Sequence, residues 1–260
     1  TISFSTIFNI SGVWDQFDID DCKGGGKNAL TPEESMISDG MLNYTAIDNA
    51  LENTEYSYKA PINKITVLRP FRHAENDPFD YDDFSTTGEL LAKGLNASLD
   101  IKDDEDANLE AFKHLNDSGI VLLDSHGSFD SKNNFILTGE MLDGAEFLLN
   151  PAYYLGHTQY TIDYIRQNIY VGICTSRIYI RDNFFDYYYR NNPMMSNFVF
   201  LGSCYSQKVS NISDALIKRG SKCVIGFTEP VSIWYCNASL FEIMLNSMLI
   251  SGDSVTESVA

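Results

Sequence analysis

Ile120 to Gly127 reads IVLLDSHG, and Phe198 to Cys204 reads FVFLGSC. Each is a short apolar run that closes on small residues and then a reactive one, the texture of a strand buried on both faces that hands over to a loop. In an open parallel sheet, reactive side chains gather in the crevice beyond the carboxyl ends of neighbouring strands. If these two runs are neighbours, the imidazole of His126 and the sulfur of Cys204 emerge at the same sheet edge.

The surrounding chain supports such a sheet. From Ile62 onward, short apolar runs alternate with helical stretches, which is the pattern of parallel strands joined by crossover helices. Ile65–Leu68 reads as a first strand stopped by Pro70, followed by a helix over Thr87–Leu95, a second strand at Ser98–Ile101 and a helix over Asp104–Leu115. The two quoted runs are the third and fourth strands. After them come a short helix over Ser213–Arg219, a fifth strand at Cys223–Phe227 and a closing helix over Leu240–Ile250. Between the third and fourth strands, about residues 129–197 form an insert rich in Tyr, Phe and Asn. Its stretches around Tyr170, Gly172 and Cys174 and around Tyr179 and Arg181 read as hairpin strands. Residues 1–61 form an N-terminal extension with one helix, opened by Thr31-Pro32-Glu33-Glu34 and carried by Met36, Ile37, Met41, Leu42 and Ile47. Residues 62–260 then form the main α/β domain.

Bulk properties narrow the function. An apolar share of 44% and a charged share of 21% are those of a folded globular chain. A formal charge of −18 repels phosphate backbones and anionic headgroups, so nucleic acid is a poor partner. No apolar run approaches the roughly 18 residues that cross a bilayer, which argues against membrane insertion. Five cysteines are too few and too irregular for a disulfide framework in 260 residues. The sequence opens at Thr1 without a methionine, which leaves room for a removed upstream segment, so missing targeting says little about location. The location stays open; a bacterial source and a removed N-terminal segment together would favour a secreted or cell-surface protein.

Nucleophilic catalysis at a peptide carbonyl needs a thiolate or near-thiolate, a proton donor for the leaving amine, and N–H groups for the developing oxyanion. Cys204 supplies the sulfur and His126 the proton. The backbone N–H groups of Gly127 and Cys204 are the candidate oxyanion donors, since a residue without a side chain lets its backbone approach a substrate closely. The bland alternative is an inert core thiol. Cys223, Cys174 and Cys236 have no histidine in a comparable setting and read as structural. His73, His114 and His157 read as surface or packing residues, and no pair has metal-binding spacing, so no metal site is expected among the histidines. The acidic runs Asp18–Asp21, Asp77–Asp83 and Asp103–Asp106 offer oxygen ligands for a structural calcium ion, although none has the EF-hand order and solvated loops explain most such runs.

These strand ends resemble those of the caspase-like (clan CD) cysteine peptidases, the group that includes caspases, clostripain, gingipains, legumain, separase and the CHAT domains. The shared pattern is an apolar strand ending in His-Gly, here LLDSHG, then an apolar strand ending in a small residue and Cys, here VFLGSC. Ala215 to Gly220 leading into Cys223 to Gly226 resembles the gingipain and CHAT arrangement of helix, turn and strand. The resemblance implies a caspase-like αβα sandwich with a mostly parallel central sheet and a hairpin-rich insert between the His and Cys strands. It implies a cysteine endopeptidase with His126 and Cys204 as the catalytic dyad, no cofactor for the chemistry, and a peptide or protein substrate. Glu229 and Trp234, after the fifth strand, are the pocket-lining candidates it implies; Arg69, beyond the first strand, is a looser one. Clostripain-like enzymes that cleave after basic residues carry an acid two positions before the cysteine, where this chain has Gly202, so basic specificity is not implied. The alternative is a catalytically inactive caspase-like module that binds a peptide or protein. A flavodoxin-like binding domain is disfavoured because no phosphate-loop or G-x-G-x-x-G pattern follows the first strand.

Overall fold

The structure is a computed structural model that describes residues 63–73, 84–150, 153, 156–171, 176–194 and 198–240. In chain order its elements are β1 (Lys64–Arg69), α1 (Phe84–Leu95), β2 (Ser98–Asp103), α2 (Leu109–Lys113), β3 (Ile120–Asp124), β4 (Gly127–Phe129) and β5 (Asn134–Met141). There follow α3 (Gly144–Leu149), α4 (Thr158–Ile165), β6 (Ile169–Val171), β7 (Arg177–Ile180), α5 (Asp182–Tyr188), β8 (Phe198–Gly202), α6 (Asn211–Lys218), β9 (Val224–Ile225) and α7 (Ile233–Leu240). The protein is α/β, with a five-stranded all-parallel sheet of order β2-β1-β3-β8-β9 and a separate four-stranded antiparallel sheet of order β4-β5-β7-β6.

The inner strands β3 and β8, with β9, are almost wholly apolar and buried because both faces of the sheet are covered there, whereas the edge strand β2 carries Asp100, Lys102 and Asp103 and is only partly buried. Alternate residues point to opposite faces. Leu68, Val121, Leu123, Val199, Leu201 and Val224 pack against α2, α5, α6 and the inner side chains of the antiparallel sheet, including Ile136 and Ile178. Ile65, Val67, Leu122, Phe198, Phe200 and Ile225 face the other way, against Phe84 and Leu91 of α1 and Cys236 and Leu240 of α7. Each such side chain, fully buried, contributes about 1.5–3 kcal/mol relative to exposure. The register that results places Ile120 opposite Phe198 and Asp124 opposite Gly202, so β3 and β8 end level.

The antiparallel sheet is built by local chemistry. The carboxylate of Asp130 accepts from the backbone N–H of Lys132 and of Asn133, both at 2.7 Å, which closes the turn between β4 and β5. β6 and β7 pair antiparallel, Tyr170 opposite Tyr179, as the alternation around those residues suggests.

Several boundaries differ from the sequence reading. In place of one helix over Asp104–Leu115 there is a single 3₁₀ turn, Asp104–Asp106, and then α2. Asp104 sits at φ +47, and Asn108 starts the chain afresh by accepting from Ala111 N–H at 3.1 Å. The last described helix begins at Ile233 rather than Leu240, and residues beyond 240 lie outside the described residues. Besides its strands the insert carries α3, α4 and α5 among the described residues; α3 is capped by the Asp143 carboxylate, which accepts from Glu146 N–H at 2.9 Å. The helix expected within residues 31–51, with the rest of the N-terminal extension, lies outside the described residues, as do Cys22, Gly172 and Cys174.

Candidate functional site

The His126 and Cys204 segments touch through their backbones. Ser125 N–H donates to Gly202 O at 3.1 Å, extending the β3–β8 ladder one residue past the end of β3. Two residues on, Gly127 lies so close to Cys204 that a Cβ built on it would stand 2.1 Å from the Cys204 carbonyl oxygen and 3.1 Å from Ser203 Cβ. No larger residue fits there without moving one segment off the other. The β4–β5 pairing also orients the Gly127 amide. Leu137 N–H donates to His126 O at 3.1 Å, and Gly127 is the next residue, opposite Ile136. Antiparallel pairs alternate between bonded and non-bonded, so the Gly127 N–H points away from β5, toward the outer edge of β4.

His126 is half-buried and meets the ring of Phe71 edge to face, with centroids 4.7 Å apart. Phe71 stands on the turn that follows β1. It packs with Ile233 and Leu137, and the Arg177 guanidinium sits 5.0 Å from its ring centre. The hydroxyl of Ser125 donates to Leu137 O at 2.8 Å, which ties the end of β3 to the hairpin just before His126.

Cys204 is partly buried and free. Its sulfur lies 3.3 Å from the backbone N–H of Val231, which donates to it, and 3.5 Å from Val231 O, to which the thiol donates. Burial pushes the thiol above its ordinary range, opposed by the Val231 contact and by its own amide. At neutral pH the resting sulfur is therefore a protonated thiol, and a base must take its proton before it can attack. The next residue, Tyr205, sits at φ +58, a conformation that costs a bulky side chain about 1–3 kcal/mol. It is held there from three sides: its N–H donates to Glu229 O at 3.3 Å, its carbonyl accepts from Lys208 N–H at 2.9 Å, and its ring lies 4.6 Å from that of Phe129.

The other nominated residues fall as follows. Glu229 is brought to the nucleophile loop by its backbone, while its carboxylate pairs with Lys208 at 2.6 Å. Arg69 is buried at the end of β1, with Nε and Nη2 each 2.8 Å from the Asp103 carboxylate and Nη1 2.9 Å from Ser85 Oγ. Its guanidinium thus braces β2 and α1 against β1. Trp234 is the second residue of α7, and its side chain lies outside the described residues. At Gly202 a Cβ would stand 2.6 Å from Phe84 Cζ and 2.8 Å from Leu123 O, so the position has no room for an acidic side chain.

Among the described residues no group of three or more His, Cys, Asp or Glu side chains is arranged to hold a metal ion. Within the Asp103–Asp106 run, Asp103 pairs with Arg69 and Asp104 with His73. The runs at Asp18–Asp21 and Asp77–Asp83 lie outside the described residues. His114 pairs with Glu110, and His157 stacks on Tyr153 with centroids 4.2 Å apart.

Sequence reasoning missed Phe71 and Val231. A lone phenylalanine after a proline carries no periodicity, and Val231 acts through backbone atoms that residue type does not report. No protein-family model matches the chain, and neither does any curated protein or solved structure.

Proposed function

We propose that the protein is a cysteine endopeptidase with a caspase-like αβα sandwich, acting through His126 and Cys204. The observation that carries this reading is the contact of Gly127 with the Cys204 carbonyl, which holds the His-Gly turn and the cysteine together at one sheet edge. In the proposed reaction, Cys204 Sγ attacks the scissile carbonyl carbon while its proton passes to His126. The tetrahedral oxyanion is held by the N–H groups of Gly127 and Cys204. The C–N bond then breaks, with the amine taking a proton from His126 and the acyl group remaining on sulfur as a thioester. Water, giving a proton to His126, attacks the thioester, and the carboxylic acid leaves as the thiol is restored. No cofactor enters these steps. The substrate is a peptide or protein; with Gly202 packed on Phe84, basic side chains have no acidic partner at that position.

A second reading, a caspase-like module that binds peptides without cleaving them, is favoured by the burial of the Cys204 sulfur under Val231. Digestion of a broad peptide library, with mass spectrometry of the Cys204 adduct formed by a peptide electrophile, separates the two. The peptidase reading expects thiol-dependent cleavage that falls by about 10⁴-fold or more in both C204A and H126A. Equal cleavage by wild type and both variants, or no turnover and no selective adduct in wild type, rejects it.

A further inference from the structure

We propose that Asn134 is a positioning residue that sets the nucleophile loop on the β4–β5 hairpin. The inference rests on the reading of Cys204 as the nucleophile. Asn134 is the first residue of β5 and is fully buried. Its side-chain amide donates to Ser206 O at 3.0 Å and to Val209 O, and its side-chain oxygen accepts from Val209 N–H at 3.1 Å. One side chain therefore satisfies three backbone groups of the loop that follows Cys204, while its own N–H donates to Asn211 Oδ1 at 3.2 Å. Buried backbone groups must be paired, so removing this amide would orphan carbonyls under the loop.

The location gives these bonds a consequence beyond stability. Three points of the same hairpin meet the loop in order: Gly127 at Cys204, Phe129 at Tyr205, and Asn134 at Ser206 and Val209. Phe129 and Asn134 are cross-strand partners. The hairpin starts one residue after His126. A single rigid piece thus carries the His-Gly turn on one strand and the clamp for the cysteine loop on the other. The strained φ of Tyr205 lies between the outer contacts, where a loop free to relax would rotate. Asn134 touches neither reacting atom; it acts by fixing where Cys204 stands relative to His126.

The test uses the full chain as wild type, N134D and N134S, the first keeping the shape and acceptor while losing both donated bonds. Thermal melting establishes that each variant is folded at the assay temperature. The alkylation rate of Cys204 by iodoacetamide, followed by mass spectrometry across pH, reads the loop without needing any peptide substrate. Peptide turnover gives kcat and KM separately. The expected result is a folded variant whose Cys204 is alkylated about tenfold faster, with a shifted pH profile, because the sulfur loses its seat. Its kcat should fall about 10²-fold, with KM changed much less. Wild-type alkylation rates and pH profile in a folded variant would overturn the proposal, as would unfolding of both variants, which would make Asn134 a folding residue only. Altered alkylation with no peptide turnover even in wild type would leave the clamp standing and reject the peptidase reading.

Discussion

The parallel sheet and the β4–β5 hairpin both present a glycine to a neighbouring segment, and the two contacts differ in what they hold. Gly202 ends β8 against Phe84 of α1 and the carbonyl of Leu123. It belongs to a core whose strands are covered on both faces, so a side chain there disturbs packing shared among many residues. Gly127 begins β4 against the Cys204 carbonyl, with Ser203 Cβ beside it. A side chain there disturbs the seam that joins the two candidate catalytic segments. The same crowding should therefore appear as lost stability in the sheet and as lost function in the hairpin.

The sharpest break of this comparison is the pair G202A and G127A, measured by thermal unfolding and by peptide turnover. Overpacking in a close-packed region costs about 1–3 kcal/mol, so G202A should lower the melting temperature clearly while the folded fraction keeps most of its turnover. G127A should reduce turnover by about 10²-fold or more, since the proposed dyad is pushed apart, with the smaller loss of stability. The reverse pattern, an active G127A and a folded but inactive G202A, would place the dyad's geometry in the sheet rather than in the hairpin contact.

This division also explains what could be read from the sequence. β3 and β8 were legible because burial on both faces imposes unbroken apolar runs, broken in β1 only by Thr66, and a strand end is where a reactive residue becomes noticeable. That was enough to set the strand ends before His126 and Cys204 side by side across a long insert. Asn134 was not legible. In Asp130-Ser131-Lys132-Asn133-Asn134 it looks like one more turn residue, and nothing local distinguishes a solvated asparagine from one that bonds a distant loop. The helices of the insert escaped for a related reason: α3 and α5 span only six and seven residues, so the one helical repeat in α5, Phe184 to Tyr188, is too brief to stand out in an aromatic-rich stretch. The helix expected over Asp104–Leu115 failed at Asn108, whose side chain caps more strongly than the surrounding propensities propagate.

The thiols extend the comparison to electrostatics. Cys223, just before β9 of the sheet, is pushed up to about 11 by burial alone. Cys204 is also raised by burial, but N–H groups from Val231 and its own backbone oppose the rise. A raised thiol is protonated until the pH passes its folded value, so reactivity is low at neutral pH and increases through the alkaline range. Cys204 should be alkylated at lower pH than Cys223, yet with a midpoint above the ordinary thiol value of about 8.5. A Cys204 midpoint below that value, measured by mass spectrometry across pH, would mean a thiolate already paired with imidazolium at rest.

The smallest effect is expected from the ion pair that closes the hairpin side of the loop. Lys208 reaches the Glu229 carboxylate at 2.6 Å while lying about 6 Å from the ring centres of both Phe129 and Tyr205. Both charged groups are well exposed, and such a pair contributes only about 0–1 kcal/mol. K208M keeps the stem over the two rings and removes the charge. It should shift the melting temperature by little and leave Cys204 alkylation within about twofold of wild type, because Tyr205 remains tied to Glu229 through the backbone. A large acceleration of alkylation in K208M, suppressed in wild type by low salt and reproduced in wild type by high salt, would show that the ion pair, and not the backbone contacts, holds the segment around Val231 over the sulfur.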